Sequence, residues 1–325
     1  MTLPSSIDPV YFDETYRLQA GLWLDAIAET CASQGLPANR LRAFTDGSNL
    51  IAAVEERWVV KIFPPHHRHQ WESEYRVLQA LNGRLSFPIP ELIAFGEREE
   101  GWTYVILDLL PGVALEQVWE QLSTSERYTL LERIGSMMAE VHAVPVPAAL
   151  ASLEPHWPDF LKAQIEGCMT RHRHNGMPEW FMNGLENYVN QSIALLPAGE
   201  NTVILTGEYT PFNLLADKVS GAWAISGMID FGDAMIGSRE YDWLGPGLFL
   251  CAGKPDLLKA LFSGYGLESR QLNESLRRRL MLLTILHRYS HLNFQLRIPD
   301  WQNRVNTLEA LEQLVWPFGR DGAPV

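Results

Sequence analysis

Cysteine is scarce, with Cys31, Cys168 and Cys251 the only three in 325 residues. They are far apart, odd in number and in no zinc-like spacing. That excludes a disulfide framework and a cysteine-built metal site, and free thiols in a reducing, cytoplasmic setting are expected. Positive charge is also short: 26 Lys and Arg stand against 39 Asp and Glu, a formal net charge of −13. No basic face for phosphodiesters follows from such a balance, so no nucleic-acid partner is expected, whereas a cationic small molecule is compatible. No apolar run is long enough to span a bilayer, and no charged leader precedes an apolar stretch at the N-terminus, so no membrane association is expected. Internal repeats and low-complexity tracts are missing too.

What is present is ordinary globular material, 46% hydrophobic and 20% charged, enough for two cores. Residues 11 to 34 carry Leu18, Leu22, Trp23, Ile27 and Cys31 at helical spacing, which predicts one leading helix stopped by Gly35 and Pro37. Strand-like pieces follow at Leu41–Thr45, Leu50–Glu55 and Arg57–Phe63, the first two joined by the turn Asp46-Gly47-Ser48-Asn49. A helix over 68–82 and two strands near Leu92–Phe95 and Trp102–Leu109 complete a β-rich opening. Beyond Pro111-Gly112 helical periodicity dominates, starting with a capping box at Ser123 and Glu126. A short β region at 203–229 interrupts it. The expected architecture is α+β and bilobal: an N-terminal lobe over 1–108 and a larger, mainly helical lobe over 109–325.

Three segments can carry chemistry. In Thr206-Gly207-Glu208-Tyr209-Thr210-Pro211-Phe212-Asn213 a carboxylate precedes an asparagine in a loop between apolar strands. Phosphoryl transfer uses such a pair, the carboxylate to orient the attacking hydroxyl and the asparagine oxygen to hold magnesium. By itself the spacing is also that of a common polar turn. In Gly227-Met228-Ile229-Asp230-Phe231-Gly232-Asp233 an apolar strand ends at an aspartate able to reach a metal on phosphates. In Trp58-Val59-Val60-Lys61-Ile62-Phe63 a lone lysine sits in an apolar strand. Such a lysine commonly snorkels to solvent, but Glu74 on the next helix can hold it against nucleotide phosphates. Upstream, the backbone N–H groups of Gly47-Ser48-Asn49 are able to cover those phosphates, although by itself this loop is a plain hairpin turn.

Turn, strand lysine, helix glutamate and catalytic loop followed by Asp-Phe-Gly stand in kinase order. With Phe87-Pro88-Ile89-Pro90-Glu91-Leu92, Val105-Ile106-Leu107-Asp108 and Gly237 with Glu240-Tyr241-Asp242, the chain resembles the aminoglycoside phosphotransferase and choline kinase-like superfamily over residues 40 to 245. A looser similarity to hygromycin B phosphotransferases runs into the tail, around Leu283–Phe294 and Leu311–Pro317. The resemblance implies a protein-kinase-like fold and a monomeric ATP- or GTP-dependent kinase. It implies catalysis through Glu208, Asn213 and Asp230, magnesium on Asn213 and Asp230, and nucleotide contacts from Lys61, Glu74, Ser48 and Asn49. Asp233, Glu240 and Asp242 are candidates to receive a cationic acceptor, with bracing of the catalytic loop the competing role for Asp242.

One departure stands out. The family usually carries His-Gly-Asp where this chain has Thr206-Gly207-Glu208. The added methylene moves the carboxylate by roughly 1 Å, enough to cost about a hundredfold in rate unless the backbone compensates. The resemblance implies an active kinase whose expected acceptor is an aminoglycoside antibiotic, hygromycin B-like, so that it confers resistance; a metabolic kinase for an amino alcohol, sugar or amino acid, and a nucleotide-binding pseudokinase, are the alternatives. His66, His67 and His69 read as a solvated helix start, and Arg171-His172-Arg173-His174 as a solvated helix end.

Overall fold

The computed structural model describes residues 3–197, 199 and 201–318. These fall into two compact units: Met1–Pro111 with Gly227–Ala234, and Gly112–Ser226 with Met235–Val325. No helix among the described residues is long and apolar enough to cross a membrane.

The leading segment of the first unit is not one helix. A turn at Pro9–Tyr11 passes into a π-turn at Phe12–Tyr16, a 3-10 turn at Ala20–Leu22, and then α1, Leu24–Ser33. Gln19 and Trp23 leave helical dihedrals, and the Trp23 indole donates to the Arg17 carbonyl across the break (3.1 Å). The wider π-turn brings Phe12 and Tyr16 within 5.9 and 6.3 Å of the buried Trp102 ring. Aromatic packing therefore overrides the helical spacing read from the sequence.

Next come β1 (Leu41–Phe44), β2 (Leu50–Val54), β3 (Trp58–Phe63), α2 (Arg68–Leu81), β4 (Leu92–Glu97) and β5 (Thr103–Asp108). The strands form one antiparallel sheet in the order β1-β2-β3-β5-β4. On β3, Trp58, Val60 and Ile62 face a core shared with Leu50, Ala52, Val54 and Ile106. Strand alternation turns Lys61, opposite Ile51 and Val105, to the other face. Helix α2 covers that face, with the Trp71 indole donating to the Tyr104 carbonyl (2.9 Å). Covered in this way, the Lys61 side chain cannot snorkel to solvent.

The second unit opens with β6 (Val113–Ala114) and α3 (Thr124–His142), whose start is the capping box of Ser123 and Glu126. Helices α4 (Trp157–His174) and α5 (Glu179–Ser192) follow, then β7 (Val203–Leu205), β8 (Leu214–Val219), β9 (Ala222–Met228) and β10 (Met235–Gly237). Strands β6, β8 and β9 form one small sheet, and β10 with β7 another. Neither β6 nor β10 is expected from the sequence, because two or three residues show no periodicity. Helices α6 (Pro255–Tyr265), α7 (Glu274–Ile285) and α8 (Leu308–Val315) complete the unit. Helices α3 and α6 approach until their backbones nearly touch. A Cβ on Gly135 would lie 2.2 Å from the Leu261 carbonyl oxygen, and one on Gly264 2.1 Å from that of Glu132. With the helices this close, the end of α3, at His142, meets the end of α6, at Tyr265.

Candidate active site

In the first unit, Lys61, Glu74 and Asp230 form one cluster. The Lys61 ammonium, 6% exposed, donates to Glu74 Oε1 at 2.7 Å and Asp230 Oδ1 at 3.1 Å. Burial opposes the Lys61 charge, but the carboxylates of Asp230 and Glu74 outweigh it and raise the pKa. Burial pushes the Glu74 carboxyl up, partly offset by Lys61. Removing either partner of such a buried pair leaves an uncompensated charge, at a cost of about 3–5 kcal/mol. Asp230 adopts a left-handed conformation (φ 68°), which costs an aspartate on the order of 1 kcal/mol. The conformation brings Oδ1 to Lys61 and leaves the side chain 40% exposed. Two carboxylates against one ammonium leave a net negative cluster, suited to a further cation.

Ser48 and Asn49 separate in role. Ser48 is exposed in the β1–β2 hairpin, whereas Asn49 is buried. Asn49 Nδ2 donates to Gln70 Oε1 (3.0 Å), and its Oδ1 pairs with His67 Nδ1 (3.0 Å). Asn49 is thereby committed to tying the hairpin to the start of α2. His67 is correspondingly no solvated helix start: burial pushes its imidazole down to about 4, so it stays neutral at pH 7. His172 likewise departs from the solvated helix end expected of it. It is fully buried, with Nε2 on the Ile285 carbonyl (2.9 Å).

In the second unit, Glu208 Oε2 accepts a hydrogen bond from Asn213 Nδ2 at 2.7 Å, so the two candidate catalytic side chains of the loop are in direct contact. Gly207 beside them has φ 82°, a conformation glycine takes without a Cβ clash. The loop is held from behind by Asp242, which is 1% exposed. Its Oδ2 accepts from the Thr206 amide (3.0 Å) and its Oδ1 from the Gly207 amide (3.0 Å). His142 Nε2 meets the same carboxylate at 3.1 Å, while His142 Nδ1 meets the Tyr265 hydroxyl at 2.9 Å. Sequence reasoning missed His142 and Tyr265. They come from the ends of α3 and α6, and no local pattern marks either.

The three candidate acceptor carboxylates are already engaged. Asp242 is spent on the loop backbone. Glu240, buried, bonds Ser238 and pairs with Arg279 at 3.0 Å. Asp233 accepts a long hydrogen bond from Gln70 (3.5 Å). A feature absent from the sequence analysis lies beside Asn213. The half-exposed Phe212 ring stacks on Phe294 (6.0 Å, 14°), and the Arg297 guanidinium lies 4.9 Å from the Phe294 ring centre.

This order of groups along the chain coincides with the extent of a family match: residues 41–281 fit the phosphotransferase enzyme family. The chain belongs to that family. It is therefore a phosphotransferase. Its mixed α/β kinase-like fold, with a β-sheet N-terminal region and a helical C-terminal region, recurs in solved aminoglycoside phosphotransferases. The GDP complex of wild-type aminoglycoside 2'-phosphotransferase-IIIa matches at TM-score 0.68 and 18% identity, covering 90% of this chain and 97% of that one. A ternary complex of a thermostable APH(4)-Ia mutant with ADP and hygromycin B matches at 0.59 and 16% identity, covering 89% and 98%. The streptomycin–ATP–APH(2'')-IIa ternary complex matches at 0.58 and 17% identity, covering 80% and 91%.

Proposed function

We propose that this phosphotransferase moves the γ-phosphoryl group of ATP or GTP to a hydroxyl of an aminoglycoside, with magnesium as the resident ion. The observation that carries the reading is the pairing of Lys61 with both Glu74 and Asp230 (2.7 and 3.1 Å) in a chain of this family. Lys61, held by Glu74, binds the nucleotide phosphates. Glu208, fixed by Asn213 and by the braced backbone of Thr206 and Gly207, orients the acceptor hydroxyl and takes up its proton as the new O–P bond forms.

Each unit presents an oxygen donor of the kind magnesium takes. Asn213 turns its carboxamide nitrogen to Glu208, which leaves the oxygen for a cation, and Asp230 presents a part-exposed carboxylate. When bound, magnesium neutralises charge on the phosphate oxygens. Most of the rate then comes from positioning and electrostatics, since the protein has little covalent chemistry to do.

The aminoglycoside assignment draws on the family resemblance and on neighbours solved with hygromycin B and with streptomycin. A second reading has its own observation. Glu240 is paired with Arg279 and Asp242 is spent on the loop backbone, while stacked Phe212 and Phe294 lie beside Asn213. That surroundings suits a less cationic ring compound, such as a sugar, handled by a metabolic kinase of the same fold.

The test is magnesium-dependent release of ADP or GDP across aminoglycosides, hygromycin B included, and across sugars and amino alcohols, in wild type and Asp230→Asn. Turnover with aminoglycosides that vanishes in Asp230→Asn supports the first reading. Turnover with sugars or amino alcohols alone replaces it by the second. Nucleotide binding with no turnover on any acceptor means that Glu208 marks a pseudokinase.

A further inference from the structure

The second unit holds a cavity of about 480 Å³ that none of the catalytic groups line. It lies between the Arg239–Tyr241 turn, Trp243 and the first turn of α7. Three guanidinium groups line it, those of Arg239, Arg270 and Arg279, against one carboxylate, Glu240. That carboxylate is already taken by Arg279 (3.0 Å) and by the Ser238 hydroxyl. Arg270 pairs with Glu268 at 2.7 Å, but both side chains are well exposed, so that pair competes weakly with a ligand. In a chain of net charge −13, an arginine-lined cavity runs against the overall balance.

Two unmet donors belong to residues of the wall, both of them closed to solvent as the cavity stands. Trp243 is 3% exposed, yet its indole Nε1 has no hydrogen-bond partner among the described residues. The buried Nε of Arg279 has none either. Both atoms are donors only, and a buried unmet donor costs about 1–3 kcal/mol unless something accepts from it. Ser275, in the first turn of the twelve-residue α7, also lines the cavity, where the helix dipole favours negative charge.

We infer that this cavity is an accessory anion site, taking a small molecule by a phosphate or carboxylate group. Arginine forks match both groups, and the volume leaves room for an organic portion beyond the anionic head. None of the proposed nucleotide groups lines the cavity, and the inference does not rest on the choice of acceptor. Its wall adjoins the brace of the catalytic loop. Arg239 acts electrostatically on the Tyr265 hydroxyl, which meets His142, which meets Asp242.

The experiment is equilibrium dialysis of the full chain against radiolabelled orthophosphate, with magnesium and saturating ADP present to fill the nucleotide site, and with citrate as competitor. The decisive variant is Ser275→Asp, which adds an acidic residue where the α7 dipole welcomes one, so folding is preserved while the cavity becomes repulsive. Expected is one saturable equivalent of phosphate, displaced by citrate if the carboxylate head is preferred, weakened at least about tenfold by Ser275→Asp and unchanged by Ser275→Ala. Arg279→Gln should weaken it likewise. No saturable phosphate uptake, or uptake indifferent to Ser275→Asp, overturns the inference.

Discussion

Glu208 carries the sharpest question at the scale of single residues. It reaches one methylene further than the aspartate usual in the family, and Thr206 stands where a histidine is usual. Two sets of contacts constrain Glu208. Asn213 grips the carboxylate at 2.7 Å, and Asp242 holds the amides of Thr206 and Gly207 at 3.0 Å each, so the longer side chain starts from a fixed backbone. Glu208→Gln keeps an oxygen for Asn213 and removes the charge. Its kcat should fall by roughly 10²–10⁴-fold, with the KM for nucleotide nearly unchanged, in a steady-state assay. Equal loss in kcat and nucleotide affinity would instead give Glu208 a structural role. Lys61, Glu74 and Asp230 were legible in the sequence because each lies in a short motif of definite order. His142 was not, since its partner Asp242 is a hundred residues away and the geometry comes from two helices crossing.

That crossing is the feature to probe at the level of elements. The brace on the catalytic loop runs through His142 at the end of α3 and Tyr265 at the end of α6, and these ends meet because Gly135 and Gly264 let the two backbones approach. A methyl group at Gly135 would sit 2.2 Å from the Leu261 carbonyl oxygen and 2.6 Å from the Tyr265 amide, both of them backbone atoms that cannot swing aside. Gly135→Ala should therefore destabilise by at least about 1–3 kcal/mol, seen as a fall in urea midpoint, and should lower kcat beyond what instability explains by displacing His142. The same substitution at Gly21, where a Cβ meets nothing within 4 Å, should be close to neutral in both assays. Element types in the sheet were readable from apolar strand runs and turn chemistry, while the face of Lys61 emerges only from the strand register. The leading helix was misread, because its apolar spacing also suits a segment that folds back on Trp102. Strands β6 and β10 exist only through their partners, which no local pattern reports.

For the molecule as a whole, the roles proposed for the net negative Lys61–Glu74–Asp230 cluster would make nucleotide binding and metal binding interdependent. A nucleoside diphosphate brings more negative charge towards Asp230, and Lys61 is already shared between two carboxylates. Without a divalent cation, repulsion by Asp230 opposes the phosphates; with one, the same carboxylate becomes an attraction. Ligand that binds only the folded state stabilises it by about 2.7 kcal/mol at a hundredfold excess over Kd. Magnesium with ADP should therefore raise the thermal midpoint of the wild type, and chelation by EDTA should remove most of that gain at the same ADP concentration. Asp230→Asn separates the two effects. Its stabilisation by ADP alone should equal or exceed that of the wild type, because the repulsive charge is gone, while magnesium should add little. A variant that still responds fully to magnesium would take Asp230 out of the metal's coordination and leave Lys61 as its chief role.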